Sequence, residues 1–102
     1  MVYKTKMTED FIHDVYEICE YINNKLKLTE ASKRLREKVR LKVLFLENTP
    51  MMFSVIEKYD RVKRRYRRAI INNYVMLYTI DNDIVYISHL YYNGRDYLNV
   101  LL

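Results

Sequence analysis

The sequence predicts an α+β domain in which a short N-terminal strand and an antiparallel helical hairpin pack on a small, mostly antiparallel sheet. The first half of the chain repeats apolar residues at steps of three and four, as amphipathic helices do. The second half is rich in β-branched and aromatic residues, and Asn72-Asn73 and Asp81-Asn82 interrupt it with residues typical of tight hairpins. With 102 residues, the chain suits one domain over residues 1–102.

The first predicted element is a strand that leads into a helix. Residues 2–7 alternate, so this strand should edge or join the later sheet. Thr8 then offers an N-cap hydroxyl, followed by two acidic residues where the helix dipole is positive. The apolar stripe of the helix consists of Phe11, Val15, Ile18 and Ile22. Asp14, Glu17 and Glu20 are expected mostly on the water side, and Asn23-Asn24 ends or weakens the helix.

A second helix follows a short polar link. Thr29 is its candidate cap, and Pro50 closes the segment after Asn48. Its apolar stripe consists of Ala31, Leu35, Val39, Val43 and Leu46. Because a short link makes neighbouring helices run back on each other, the pair should form an antiparallel hairpin.

Three strands should then cover the apolar seam of the helices. The predicted strands are Tyr66–Ile71, Tyr74–Ile80 and Asp83–Leu90. In the middle strand, Val75 and Leu77 oppose Met76 and Ile80, so both faces of the sheet are apolar. We therefore expect a cover on the second face, either the apolar C-terminal residues or a partner.

The positive charge of the chain is local. The net charge is +5, and residues 58–68 alone carry +6. Such a cluster favours nucleic acid or an acidic protein segment as partner, although a solvated face remains an equally good interpretation. The predicted nucleic-acid or partner-binding residues are Lys63, Arg64, Arg65, Arg67 and Arg68. Strand alternation puts Arg65 and Arg67 on one face and Arg64 and Arg68 on the other.

Arg95 and Tyr97 form a second candidate site near the C-terminus. If part of the basic cluster faces a groove near Arg95, the arginine is suited to stabilise a phosphate and Tyr97 to transfer a proton. The eleven tyrosines are expected mainly to pack, with base stacking as the alternative for some of them.

Several classes of function are not expected from the composition. The chain has one cysteine, two distant histidines and one glycine, so we expect no metal, no cofactor and no phosphate-binding loop. No segment has the apolar length of a signal peptide or a membrane span, and the lone Cys19 suits a reducing compartment. The expected location is the cytoplasm, without membrane association.

The order of these elements resembles the RelE/ParE superfamily of toxins from type II toxin-antitoxin modules. The residues that carry the resemblance are Asp14, Ile18, Tyr21-Ile22, Ala31, Leu35, Leu46, Pro50, the meander over 66–90 and Arg95-Asp96-Tyr97. The resemblance implies a small cytosolic toxin that causes growth arrest and is neutralised by a cognate antitoxin. An acidic, partly disordered antitoxin would fit the basic cluster.

The superfamily contains two kinds of toxin. RelE-like members cut messenger RNA on the ribosome with basic residues and a C-terminal tyrosine, and Arg95 and Tyr97 would be catalytic only in that case. ParE-like members inhibit DNA gyrase. RelE-like proteins usually carry a phosphate-binding arginine after the tyrosine that corresponds to Tyr74, but this chain has Val75. The resemblance is therefore closer to the ParE branch and favours gyrase inhibition without enzymatic activity. The alternatives are a ribosome-dependent mRNA endoribonuclease and a non-toxic basic interaction domain.

Overall fold

Two long helices pack on a four-stranded sheet, as the sequence predicts. The computed structural model describes residues 2–53, 55 and 66–93. The first half comprises β1 (Lys4–Met7), α1 (Glu9–Glu20), a π-helix (Tyr21–Lys25), α2 (Thr29–Leu46) and a 3-10 turn (Pro50–Met52). The second half comprises β2 (Arg67–Ile71), β3 (Tyr74–Asp81) and β4 (Ile84–Tyr92). None of the helices within this described part is long and apolar enough to cross a membrane.

The sheet is mixed, and its strands lie in the order β1-β4-β3-β2. β2, β3 and β4 form an antiparallel meander, and β1 pairs with β4 in parallel. At the two hairpin turns, Asn72 has φ 53° and Asn82 has φ 56°. Asparagine tolerates this left-handed backbone, and this is why the predicted turns form where the asparagines lie.

The main core lies between the helices and one face of the sheet. The helices contribute Phe11, Ile22, Leu35, Val39, Val43 and Leu46, and the strands contribute Ala69, Ile71, Met76, Tyr78, Val85, Ile87 and Leu90. These residues include most of the two predicted helical stripes. Burial of the stripes, more than intrinsic propensity, stabilises helices of this length.

The second face of the sheet is also covered. Val75 and Leu77, which point away from the helices, have no exposed surface in the single chain. Tyr66 and Tyr91 on the same face are 6% and 8% exposed. These four side chains are therefore buried in the single chain, and the C-terminal residues that were expected as a cover lie outside the described residues.

A β-bulge in β4 changes which residues face the core. Leu77 pairs with His89, whereas the next residue, Tyr78, pairs with Ile87, so Ser88 has no opposite residue. The core residues of β4 are therefore two positions apart before the bulge, at Val85 and Ile87, and three positions apart across it, at Ile87 and Leu90. As a result, His89 and Tyr91 lie on the second face, opposite the main core, and His89 still reaches Asp14 of α1 at the strand edge.

α1 lies along the edge of β4 where β1 ends. The hydroxyl of Thr8 caps α1 by accepting from the N–H of Phe11 at 3.1 Å, and it donates to the carbonyl of Ser88 at 3.0 Å. The carboxylate of Asp14 accepts a hydrogen bond from the N–H of Leu90 at 3.0 Å. The expectation that Asp14 faces water was wrong, because its side chain satisfies a backbone donor on the strand edge.

Candidate interaction surfaces

Two members of the predicted basic cluster, Arg67 and Arg68, lie within the described residues. They occupy successive positions in β2 and so point to opposite faces of the sheet, as strand alternation requires. The other predicted site residues, Lys63, Arg64, Arg65, Arg95 and Tyr97, lie outside the described residues, and their roles stay predictions.

Arg67 is engaged within the fold. Its Nη1 atom donates to the carbonyl oxygen of Phe53 at 2.6 Å and to that of Met51 at 3.3 Å. Val55 forms an isolated antiparallel bridge with the same residue. Through these hydrogen bonds, the guanidinium group links the segment after α2 to the first residue of β2. A role in partner binding would have to use the remaining donors of this side chain.

Arg68 begins a row of side chains across the second face. In register, Arg68 lies opposite Leu77, and Leu77 lies opposite His89. Arg68 is exposed and Leu77 is buried, so the row runs from solvent into a covered region. The cation therefore lies at the open end of this row.

His89 is at the centre of a polar cluster that links β4 to α1. Its Nδ1 atom lies 3.7 Å from Oδ2 of Asp14 and 3.3 Å from the hydroxyl of Tyr91, and the His89 and Tyr91 rings stack at 5.4 Å. The side chains of His89 and Asp14 are only 17% and 21% exposed. The two groups near Nδ1, the Asp14 carboxylate and the Tyr91 hydroxyl, come from α1 and β4. The cluster therefore connects the helix to the strand.

A groove runs between α1, α2 and β1, and we call it the α1–α2 groove. It has a volume of about 420 Å³. Its apolar lining consists of Met7, Phe11, Ile12, Val15, Val39, Val43 and Leu44, and its polar lining of Thr5, Arg36, Arg40 and Glu47. Ile12 and Leu44 are 55% and 43% exposed, so the groove presents apolar surface to solvent. Exposed apolar surface of this kind marks sites of protein association.

A second groove runs between α2 and β2, and we call it the α2–β2 groove. Its volume is about 360 Å³. It is lined by Lys38, Leu41, Lys42, Phe45, Ile70, Ile71 and Asn72. Lys42 lies over two aromatic rings, 5.8 Å from the centroid of Phe45 and 5.4 Å from that of Phe53. The second groove thus combines an apolar floor with ammonium groups.

The two long helices carry opposite charge. α1 has five acidic residues and no lysine or arginine, whereas α2 has six basic residues and two acidic ones. The basic character of α2 was not predicted, because the larger cluster at residues 58–68 dominates the net charge of the chain. Adding the charges of each predicted helix separately would have found it.

The tyrosines divide into packing residues and rim residues. Tyr66, Tyr78 and Tyr91 are buried, which agrees with the predicted packing role. Tyr21 and Tyr92 are 57% and 54% exposed, and they border a cavity of about 520 Å³ together with Tyr74. Tyr74 and Tyr92 meet edge to face at 5.8 Å. Burial raises the pKa of Tyr74 above that of a free tyrosine.

Among residues 2–53, 55 and 66–93, no three His, Cys, Asp or Glu side chains come close enough to hold a metal ion. Among the potential ligands, Asp14 and His89 contact each other, and Cys19 is buried.

The comparisons with known proteins agree with this architecture. No curated protein matches the sequence. In fold, the chain is similar to a chain from the chromosomal ParDE toxin-antitoxin system of P. aeruginosa, with a TM-score of 0.71 and 12% identity. The match covers 89% of this chain and 96% of that one, and at this identity it supports the fold alone. The family model for the ParE toxin of the parDE type II toxin-antitoxin system matches residues 5–97. This match confirms the resemblance drawn from the order of elements, and the chain belongs to the ParE toxin family.

Proposed function

We propose that this protein is the toxin of a type II toxin-antitoxin module, that an antitoxin neutralises it, and that the free toxin arrests growth by inhibiting DNA gyrase. Family membership over residues 5–97 is the observation that carries the proposal. Gyrase lies in the cytoplasm, so the toxin would act there. The buried Cys19, the only cysteine, is compatible with that reducing compartment.

The position of Val75 favours inhibition over RNA cleavage. Val75 is fully buried on the second face, in register with Ile70 on one side and Tyr91 on the other. An apolar side chain without exposed surface has no group with which to bind a phosphate. A toxin that only binds and blocks its target needs no charged group at this position, whereas a nuclease needs charged groups around the scissile phosphate.

The antitoxin requires an apolar surface on the toxin, and the helices supply two. The α1–α2 and α2–β2 grooves both expose apolar side chains beside charged ones. Segments that fold on binding commonly lay an apolar face into such grooves. A partner that covers either groove would shield surface that the free toxin leaves in water.

The direct test is a supercoiling assay with purified gyrase and relaxed plasmid. We expect the free toxin to reduce supercoiling or to trap cleaved DNA, and we expect toxin preincubated with its antitoxin to have no effect. The antitoxin-bound sample is the matched control because it contains the same toxin at the same concentration. Full gyrase activity at micromolar toxin would reject gyrase as the target.

A second experiment separates the alternatives. Induced expression should arrest growth while transcripts stay intact on ribosomes. Messenger RNA cut at ribosomal positions, with the cuts abolished by Arg95→Ala or Tyr97→Phe, would instead establish the endoribonuclease. Unchanged growth on induction would identify a basic interaction domain without toxicity.

A further inference from the structure

Three cations follow one another along α2 on the side of the α2–β2 groove. Arg34, Lys38 and Lys42 are spaced four residues apart, which places them on one side of the helix at intervals of about 6 Å along its axis. Nζ of Lys38 donates to Oδ1 of Asn72 at 3.0 Å, so this side of α2 lies beside the β2–β3 turn. No carboxylate within residues 2–53 and 66–93 forms an ion pair with any of the three. Their charge is therefore available to a ligand.

Exposed apolar side chains lie next to these cations. Leu41 and Phe45 line the α2–β2 groove and are 51% and 43% exposed. Apolar surface of this kind is stabilised when another apolar side chain covers it, and it has no group that binds a phosphate backbone. The groove therefore fits a protein segment that has both apolar and anionic side chains.

The charges around the two grooves favour the α2–β2 groove as the binding site of an acidic ligand. In the α1–α2 groove, Arg40 is already paired with Glu37, Glu47 lines one end, and the neighbouring α1 carries five acidic residues. An acidic segment in that groove would meet like charge from α1. The α2–β2 groove has lysines on its rim and no acidic residue in its lining.

We propose that an acidic segment of the antitoxin occupies the α2–β2 groove. Its carboxylates would pair with Arg34, Lys38 and Lys42, and a large apolar side chain between them would insert against Leu41 and Phe45. Carboxylates on successive turns of a helix, or at alternate positions of an extended segment, match the spacing of the cations. This inference rests on the proposed toxin-antitoxin function, because it names the surface through which that partner binds.

The test compares antitoxin binding by two charge-reversed toxins. In the first, Lys38→Glu and Lys42→Glu are combined. In the matched control, Lys4→Glu and Lys25→Glu place the same charge change on exposed lysines of β1 and the π-helix. At about 150 mM salt we expect the first to bind the antitoxin at least tenfold more weakly than wild type, and the control to stay within about twofold. Equal affinity of the first variant and wild type would overturn the inference.

A neutral variant tests the apolar contact separately. Leu41→Ser changes an exposed side chain of α2 that lines the α2–β2 groove, and it leaves the charge of the toxin unchanged. We expect it also to weaken antitoxin binding at least tenfold, with a circular dichroism melt confirming that the toxin is folded. Unchanged affinity of a folded Leu41→Ser protein would contradict the proposed insertion.

A third measurement tells whether the groove binds protein or nucleic acid. It also separates failure of the groove proposal from failure of the toxin-antitoxin function. A fluorescent single-stranded oligonucleotide replaces the antitoxin in the same titrations. Binding of the oligonucleotide that is lost in Lys38→Glu/Lys42→Glu, with antitoxin affinity unchanged, would reassign the groove to nucleic acid and overturn the inference. Failure of wild-type toxin to bind any co-encoded protein would instead refute the toxin-antitoxin function itself.

Discussion

The hydroxyl of Thr8 joins the start of α1 to Ser88 at the bulge of β4. It donates to the carbonyl oxygen of Ser88 at 3.0 Å while it accepts from the N–H of Phe11 at 3.1 Å. The two residues are 80 positions apart in the chain. One side chain therefore caps α1 and also donates a hydrogen bond to a backbone carbonyl of β4. This contact lies at the point where β1 stops pairing with β4.

Removing this hydroxyl should destabilise the protein measurably. Thr8→Val keeps the shape of the side chain but leaves two backbone groups without a partner, and we expect a loss of about 1–2 kcal/mol in the free energy of unfolding. Thr8→Ser, which keeps the hydroxyl, should lose much less. Thermal melts should show the valine variant lower by roughly 4–8 °C for each kcal/mol lost. Identical melting of the valine and serine variants would mean that the hydroxyl contributes nothing.

The order of elements could be read from the sequence because local patterns determine it. Helical stripes such as Leu35 and Val39, and asparagines such as Asn72 and Asn82 at turns, act through nearest neighbours on the chain. The structure places these residues as the patterns predict. Strand ends were less accurate, since β3 and β4 continue to Asp81 and Tyr92, beyond the predicted Ile80 and Leu90.

The bulge at Ser88 could not be read in the same way. It depends on how β4 pairs with β3, and uninterrupted alternation gives no sign of it. The same limit applies to Arg67, whose acceptors Phe53 and Met51 belong to a segment 14 and 16 residues away. The sequence identified Arg67 as a cation, but only the tertiary structure reveals that its guanidinium is engaged.

Asp14 should contribute to stability through the backbone of β4. Asp14→Ala removes the acceptor for the N–H of Leu90, and we expect a loss of about 1–3 kcal/mol because a part-buried donor is left unsatisfied. Hydrogen exchange at the Leu90 amide should become faster. Glu17→Ala is the control, since Glu17 lies on the same helix, is 62% exposed and, within the described part of the chain, pairs only with the exposed His13 at 3.7 Å. Unchanged protection of Leu90 in the Asp14 variant would contradict the assigned hydrogen bond.

Arg67 should behave as a structural residue in stability measurements. Arg67→Ala removes the donors to the carbonyl oxygens of Phe53 and Met51, and we expect a loss of about 1.5–3 kcal/mol, the range for hydrogen bonds to charged groups. Arg36→Ala removes an exposed arginine from α2 and should stay within about 0.5 kcal/mol of wild type. Urea unfolding of the two variants measures the difference. If both lose the same small amount, the contacts of Arg67 do not stabilise the fold.

Tyr78 should make the protein sensitive to alkaline pH. Its side chain is fully buried, its hydroxyl donates to the carbonyl oxygen of Pro50 at 2.6 Å, and burial raises the pKa of the phenol to about 12. In the unfolded chain a tyrosine ionises at about pH 10, so between these values the unfolded state releases a proton that the folded state keeps. Stability is therefore fully present below about pH 10 and is lost as the pH rises towards 12.

The variant Tyr78→Phe isolates this effect from the other tyrosines. At pH 7 we expect it to be less stable than wild type by about 1–3 kcal/mol, because the carbonyl of Pro50 loses its buried donor. Between about pH 10 and 12 the wild type should lose its advantage, so urea unfolding should show the two proteins converging. The remaining ten tyrosines ionise in both proteins and cancel in the difference. A gap that stays constant from neutral to alkaline pH would mean that Tyr78 ionises as readily in the folded protein as in the unfolded chain.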